Sequence, residues 1–354
     1  DENSNLYKFK PDIIFLLIDN RTILENSFYF SNINSENKNK KYVDEKINEI
    51  KNLIEVFTQK SQSKIIIANF VIPTYTPLGI YESKIEYGIK EIILDLNKKL
   101  KELSRNIDSC YVYDFNSFVT KFGEKNVIDY KKMYYGDMKI NFDIIPHLIY
   151  EFLGYVKPIL GLNKKCIVLD LDNTLWGNII GEDGIEGIKI GPYPEGRSFV
   201  EFQKVIKSLS ENGIILAINS KNNQKDAMKA INEHPHMILR EKDFSCIKIN
   251  WNDKISNMRE ISNELNIGLD SIVFFDDDPV NRELLRMSIP EINTVELPKD
   301  PSTYAQILRN LNDFNTLKIT KDDTERKIMY GQQQNRQKLE SNTNNLNEYL
   351  KKLN

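Results

Sequence analysis

Lys165-Cys166-Ile167-Val168-Leu169-Asp170-Leu171-Asp172-Asn173-Thr174 is the stretch on which the fold turns. Four consecutive apolar residues, too few for a helix, end abruptly on an acid. That is the pattern of a strand buried on both faces of a parallel sheet. Toward the C-terminus, Phe199, Phe202, Val205, Ile206 and Leu209 recur on one helical stripe that Gly213 stops. Ile214–Ile218 and Ile272–Phe275 then read as further strands, with helices around Ala227 and from Ile255 to Leu265 between them. Toward the N-terminus the rhythm repeats. Ile13–Ile18, Ile65–Ala68 and Cys110–Tyr113 are strand-like. Between them, Ile47, Ile50, Leu53, Ile54 and Phe57, and then Ile85, Ile89, Ile92, Ile93, Leu96 and Leu100, keep helical spacing.

This alternation predicts two α/β domains with mostly parallel sheets. A chain of 354 residues also exceeds one ordinary core. The expected boundaries are 1–160, 161–315 and a polar tail, 316–354, that reads as a surface helix or a linker. The Asn-rich segment Ser31–Lys41 is predicted to be a loop, and the less regular stretch Met133–Pro158 closes the first domain.

Net charge is −3, with Lys and Glu spread along the chain rather than gathered into a basic stripe, which argues against a nucleic-acid partner. Cys110, Cys166 and Cys246 are odd in number and far apart, as in a reducing cytosol, and they show no zinc spacing. The apolar runs are too short to span a bilayer, and the first residues contain neither an apolar signal core nor Met. The expectation is a soluble cytoplasmic protein, or a trimmed piece of one, with no membrane partner.

Parallel sheets gather ligands at the carboxyl ends of their strands. Four polar clusters fall there: Asp170 to Thr174, Asn219-Ser220-Lys221-Asn222, Asn252-Asp253-Lys254 and Asp276-Asp277-Asp278. Residues two apart on an extended segment project to one side, so Asp170 and Asp172 are expected to face one crevice. Close carboxylates repel, and Mg2+ relieves this because it accepts one or two of them and keeps room for waters and a phosphate. Asp170, Asp172, Asp276 and Asp277 are the predicted metal ligands, and Lys254 balances their charge. Asp170 is the candidate nucleophile, through an aspartyl-phosphate, and Asp172 the general acid and base. The Ser220 hydroxyl is expected to hold a phosphoryl oxygen, with Thr174, Asn219, Lys221 and Asn222 also in contact with substrate. Taken singly, each acid reads equally well as a turn or a helix cap, Lys254 as a solvated helix start and Ser220 as a cap.

In this order the residues resemble the haloacid dehalogenase (HAD) superfamily over about 164 to 300. A receiver domain also uses an acidic pocket, a hydroxyl and a Lys, but there the acidic pair precedes the phosphorylated Asp. Only a short Gly-rich segment, Gly177 to Gly184, lies between Thr174 and the helix at Phe199, so no large cap domain is expected. The wording Leu169 to Gly177, Ile180-Gly181-Glu182-Asp183-Gly184, Ser220-Lys221-Asn222, His234-Pro235, Asn250 to Lys254 and Leu265 to Ser271 resembles the FkbH-like family of that superfamily. The resemblance implies a HAD-type Rossmannoid domain preceded by an SGNH-hydrolase-like region, and Mg2+ as cofactor. It also implies transfer of a glyceryl group from 1,3-bisphosphoglycerate to the phosphopantetheine thiol of an acyl carrier protein in polyketide-type pathways.

Three departures qualify that picture. Asn219 stands where glyceryl transferases often have Cys, so covalent glyceryl transfer through this chain is in doubt. The first domain has no Gly-Asp-Ser block, and His147 lies four residues after Asp143, so a Ser-His hydrolase there is not expected and that region reads as degenerate. The sequence ends before an acetyltransferase-like domain, which suggests a shorter natural form or a cut one. A plain phosphatase acting on a small phosphorylated metabolite, and a catalytically silent module that binds a carrier protein, remain as alternatives. Cys166 and Cys246 read as core, His234 and His236 as a surface turn, and Trp176 and Trp251 as packing under loops.

Overall fold

The computed structural model describes residues 5–25 and 36–318. The chain divides into two compact units, 1–152 and 153–354. The division falls inside the helix Ile145–Ile159, somewhat before the boundary expected at Gly161. The polar tail anticipated at 316–354 lies, beyond Lys318, outside the described residues.

In the first unit, β1 (Ile13–Leu16), β2 (Lys64–Ala68) and β3 (Cys110–Tyr113) form a parallel sheet in that order. The helices Glu36–Lys60 and Ile89–Arg105 make the crossovers. Their apolar stripes, Val43, Ile50, Ile54 and Phe57 from one and Ile92, Ile93, Leu96 and Leu100 from the other, share a core with Ile65 and Ile67. The segment expected to be a loop as far as Lys41 is helical from Glu36. Pairs four residues apart, Glu36 with Lys40 and Lys41 with Glu45, support that first turn, and a charge pattern read as polar loop is equally that of an exposed helix. His147 is exposed and packs against Phe122, with ring centroids 4.9 Å apart.

The second unit is built on β4 (Cys166–Leu169), β5 (Ile215–Ser220), β6 (Cys246–Ile249), β7 (Ile272–Phe275) and β8 (Asn293–Thr294). All neighbours pair in parallel, in the order β6-β5-β4-β7-β8. The sheet grows outward from β4 in one direction, then returns and grows in the other. The topological switch, where such sheets bind ligands, therefore lies at the carboxyl end of β4.

Alternation along the strands fills two cores. Ile167, Leu169, Leu216, Ile218, Val273 and Phe275 face one side, and Cys166, Val168, Ile215, Ala217, Ile272 and Phe274 the other. Each fully buried Leu, Ile, Val or Phe side chain among them contributes about 1.5–3 kcal/mol. The first core is covered by the helix Pro194–Glu211 through Phe199, Phe202 and Ile206, and the second by Lys254–Glu264 through Met258 and Ile261. No helix among the described residues is long and apolar enough to cross a membrane.

Candidate active site

Asp170 is the first residue beyond β4, and its backbone N–H still donates to Phe275 O at 2.9 Å, which continues the ladder to β7. The chain then turns sharply. Thr174 and Leu175 both donate to Leu171 O, and Asn173 takes up φ +53°, a conformation Asn tolerates better than most residues. Gly177 pairs with Lys189 in both directions, at 3.0 and 2.8 Å, so the Gly-rich segment closes on itself as a short flap. A Cβ on Gly177 would stand 3.0 Å from both Lys189 Cβ and a Phe199 ring carbon, so a larger residue would have to push these neighbours back by a few tenths of an ångström.

Three further elements bring polar residues to the carboxyl end of β4, where Asp170 lies. From β7 come Asp276, fully buried, and Asp277, partly buried. Arg282 donates to the carbonyls of both, at 2.8 and 2.7 Å, and fixes their backbone. The helix starting at Lys254, capped by Asp253, carries a buried ammonium 3.0 Å from Asp170 Oδ1 that also bonds to Asp276 Oδ2. Ser220 ends β5 and is buried. One carboxylate oxygen each from Asp170, Asp276 and Asp277 lie within 4.8 Å of one another. Asp170 Oδ1 is buried, with the Lys254 ammonium 3.0 Å away. Three crowded carboxylates against a single internal cation fit a hard divalent ion.

The electrostatics agree with that crowding. Burial pushes Asp277 up to about 6, and its neighbours Asp170 and Asp276 add to the shift. Burial, with Asp170 beside it, likewise raises Asp276 although Lys254 opposes the change. For Lys254, burial works toward neutrality, but Asp170 and Asp276 outweigh it and hold the pKa above the ordinary lysine value.

Not every expected residue joins the cluster. The Asp172 carboxylate stands outside the group of potential metal ligands, because it turns toward Trp176, Ile180 and Asn222. Residues two apart share a side only on an extended chain, whereas β4 ends at Leu169 and the chain turns from Leu171, whose carbonyl accepts from Thr174 and Leu175. Burial raises the Asp172 pKa against those three hydrogen bonds, with Asp170 assisting.

Two residues expected to meet substrate are used internally. Thr174 Oγ1 accepts from the Asp277 N–H at 3.1 Å and is fully buried. Asn219, also fully buried, donates to Lys254 O at 2.8 Å and accepts from Asn257 at 3.2 Å. Both side chains thus brace the site from within in this structure, Thr174 toward the Asp277 backbone and Asn219 toward Lys254 and Asn257. Lys221 is exposed and Asn222 bonds to Asp172.

Elsewhere, His234 and His236 lie past the far end of the helix Gln224–Glu233, about 15 Å along its axis from the loop at Asn222. Trp251 is 76% exposed, on the loop joining Ser220's neighbour β6 to Lys254, rather than packed beneath it. Sequence reading missed Arg282 and the amide network Asn219-Asn250-Asn257. The spacing of Arg282, three residues into the helix after Pro279, is the one local signal for it.

Comparison with known proteins places this geometry. A family model described as the N-terminal domain of FkbH matches residues 1–157. No curated protein matches the chain. Among solved structures, the N-terminal part of the protein BF1531 from Bacteroides fragilis, described as containing a phosphatase domain and complexed with Mg, is 31% identical. That similarity covers 90% of this chain and 83% of the other, with a TM-score of 0.80. Likeness of that extent, together with the FkbH match over the first unit and the acid, hydroxyl and amine around β4 of the second, makes this chain a member of the FkbH-like family of the HAD superfamily.

Proposed function

We propose that the chain is a Mg2+-dependent phosphatase of the HAD type, with Asp170 as nucleophile and Asp172 as general acid and base. The observation that carries this reading is the largely buried cluster of Asp170, Asp276 and Asp277, with Lys254 the cation paired to Asp170 and Asp276. The similar Bacteroides protein, complexed with Mg, supports the choice of ion. Asp170, Asp276 and Asp277 would hold it. When bound, Mg2+ supplies charge neutralisation for the carboxylates and for the phosphoryl oxygens. Lys254 adds a fixed positive charge beside the attacking oxygen, and the Ser220 hydroxyl holds a phosphoryl oxygen. Attack by Asp170 forms an aspartyl-phosphate and divides the reaction into two easier steps.

The finer reading takes 1,3-bisphosphoglycerate as substrate and an acyl carrier protein as glyceryl acceptor, as the family resemblance suggests. Acyl transfer requires a thiol to attack the acyl carbon and expel phosphate, a separate event from attack of Asp170 on phosphorus. Cys110, Cys166 and Cys246 are all buried, and burial pushes every one of their pKa values up, that of Cys110 to about 11. Cys246 Sγ is engaged with Glu264. None of them is a poised thiolate. In the transfer reading the carrier's own thiol therefore attacks directly. The same fact favours plain hydrolysis of a small phosphate ester as the second reading.

The test is incubation with Mg2+, 1,3-bisphosphoglycerate and carrier protein, followed by intact mass measurement of the carrier and assay of free phosphate. A glyceryl adduct supports transfer, and phosphate without adduct supports the phosphatase alone. Neither signal, with Asp170→Asn indistinguishable from the parent, would leave only a binding role.

A further inference from the structure

An ionised carboxylate has about four lone-pair positions, and three of those on Asp172 are occupied. Oδ1 accepts from the indole Nε1–H of Trp176 at 2.9 Å and from the backbone N–H of Ile180 at 3.1 Å. Oδ2 accepts from the Asn222 amide at 2.8 Å. The donors come from the turn after β4, the start of the flap helix and the loop after β5, so Asp172 is tied to three separate pieces of chain. Trp176 is fully buried and Asn222 nearly so. The Asn222 carbonyl oxygen is engaged in turn by the Asn223 N–H at 2.9 Å, which fixes which end of the amide faces Asp172.

We propose that Trp176 and Asn222 are positioning residues for phosphoryl transfer, which orient Asp172 so that Oδ2, through its one remaining lone-pair position, is the atom that exchanges a proton with substrate. The proposal rests on the phosphatase reading above and deepens it. The donor pattern suits the neutral acid as well as the carboxylate. A carbonyl oxygen accepts twice, as Oδ1 does, and a hydroxyl oxygen accepts once and donates once, as Oδ2 would.

In the first step Asp170 forms a bond to phosphorus, the bond from phosphorus to the leaving oxygen breaks, and its electron pair stays on that oxygen. The proton of Asp172 Oδ2 moves onto the same oxygen. In the second step Asp172, now a carboxylate, takes a proton from the water whose oxygen bonds to phosphorus. The bond from phosphorus to the Asp170 oxygen breaks, its electron pair returns to the Asp170 carboxylate, inorganic phosphate leaves, and Asp172 is again protonated. The clamp also accounts for the absence of the Asp172 carboxylate from the metal-ligand cluster, since a group held by three donors is not free to swing toward Asp170.

A merely structural clamp and an orienting one differ in how they respond to the leaving group. An alkoxide departs poorly without a proton, whereas a nitrophenolate needs little help. The experiment measures kcat/KM, which reports events up to phosphoenzyme formation, for alkyl phosphates and for nitrophenyl phosphate with the full chain and Mg2+. Asn222→Ala and Trp176→Phe are each expected to lower the alkyl-to-nitrophenyl ratio by about 10- to 100-fold, the cost of a misaligned reacting group. Asn222→Gln, which restores an amide donor, recovers part of the ratio. An equal loss on all substrates, or a ratio that stays at the parental value in the Asn222 variants, overturns the proposal. The Asn222 variants decide the matter even where Trp176→Phe fails to fold. A parent without activity on any phosphate ester overturns the phosphatase reading itself.

Discussion

Lys254 shows how much of a site one side chain can hold. Its ammonium is 6% exposed and faces Asp170 and Asp276, with Asp277 close by. Replacement by Met would leave three carboxylates without their internal cation. Removing one partner of a buried ion pair costs about 3–5 kcal/mol, and losing a preorganised charge at a reacting centre costs about 10²–10³-fold in rate. Lys254→Met is therefore expected to lower the urea midpoint and, with Mg2+ present, to reduce kcat by that factor. Turnover close to the parent's would remove Lys254 from the machinery. The residue was visible in the sequence because it follows a strand and belongs to an ordered set of acid, hydroxyl, amine and acid pair. What was not visible is orientation. Asp172 and Thr174 look as available as Asp170 in the sequence, and only the turn that starts at Leu171 and partners 50 and 103 residues away decide that they face elsewhere.

At the scale of elements, the ends of strands carry the information. An apolar run closed by a polar residue, an acid after β4 and β7 and Asn219-Ser220 in β5, is a local pattern, so these strands are legible in the sequence. The two-residue strand β8 was not, since Asn293-Thr294 has no pattern of its own and exists only by pairing with β7. Strand-end acids also serve stability. Asp114, just past β3, caps the helix Phe115–Phe122 by accepting from the Ser117 N–H at 3.0 Å, and it binds Asn69 at 2.8 Å beyond β2. Burial works to raise its pKa, but the bonds from Ser117 and Asn69 prevail and hold it below the ordinary carboxylate value. A depressed folded pKa stabilises the protein above the unfolded value and is lost as pH falls through the folded one. Asp114→Ala should thus cost about 1 kcal/mol near neutral pH. The gap to the parent, measured by denaturant unfolding, should shrink below about pH 4. A gap that is independent of pH would show that the carboxylate charge contributes nothing.

For the molecule as a whole, two parallel sheets and the three cores packed against them follow from one alternating pattern written twice. In the second unit the strand order puts the switch point at β4, and four distant stretches deliver their polar ends to it. That convergence gives the account its central claim, that Asp170 is phosphorylated during turnover in the presence of Mg2+. The most direct measurement is to quench the working enzyme in acid, reduce with borohydride and map the peptides by mass. An aspartyl-phosphate is converted to homoserine, while a free carboxylate is left intact. The expected result is homoserine at position 170 alone, formed only when Mg2+ and substrate are both present and absent from Asp170→Asn. Sustained turnover with position 170 unmodified, or with homoserine at Asp172, Asp276 or Asp277 instead, would contradict the account.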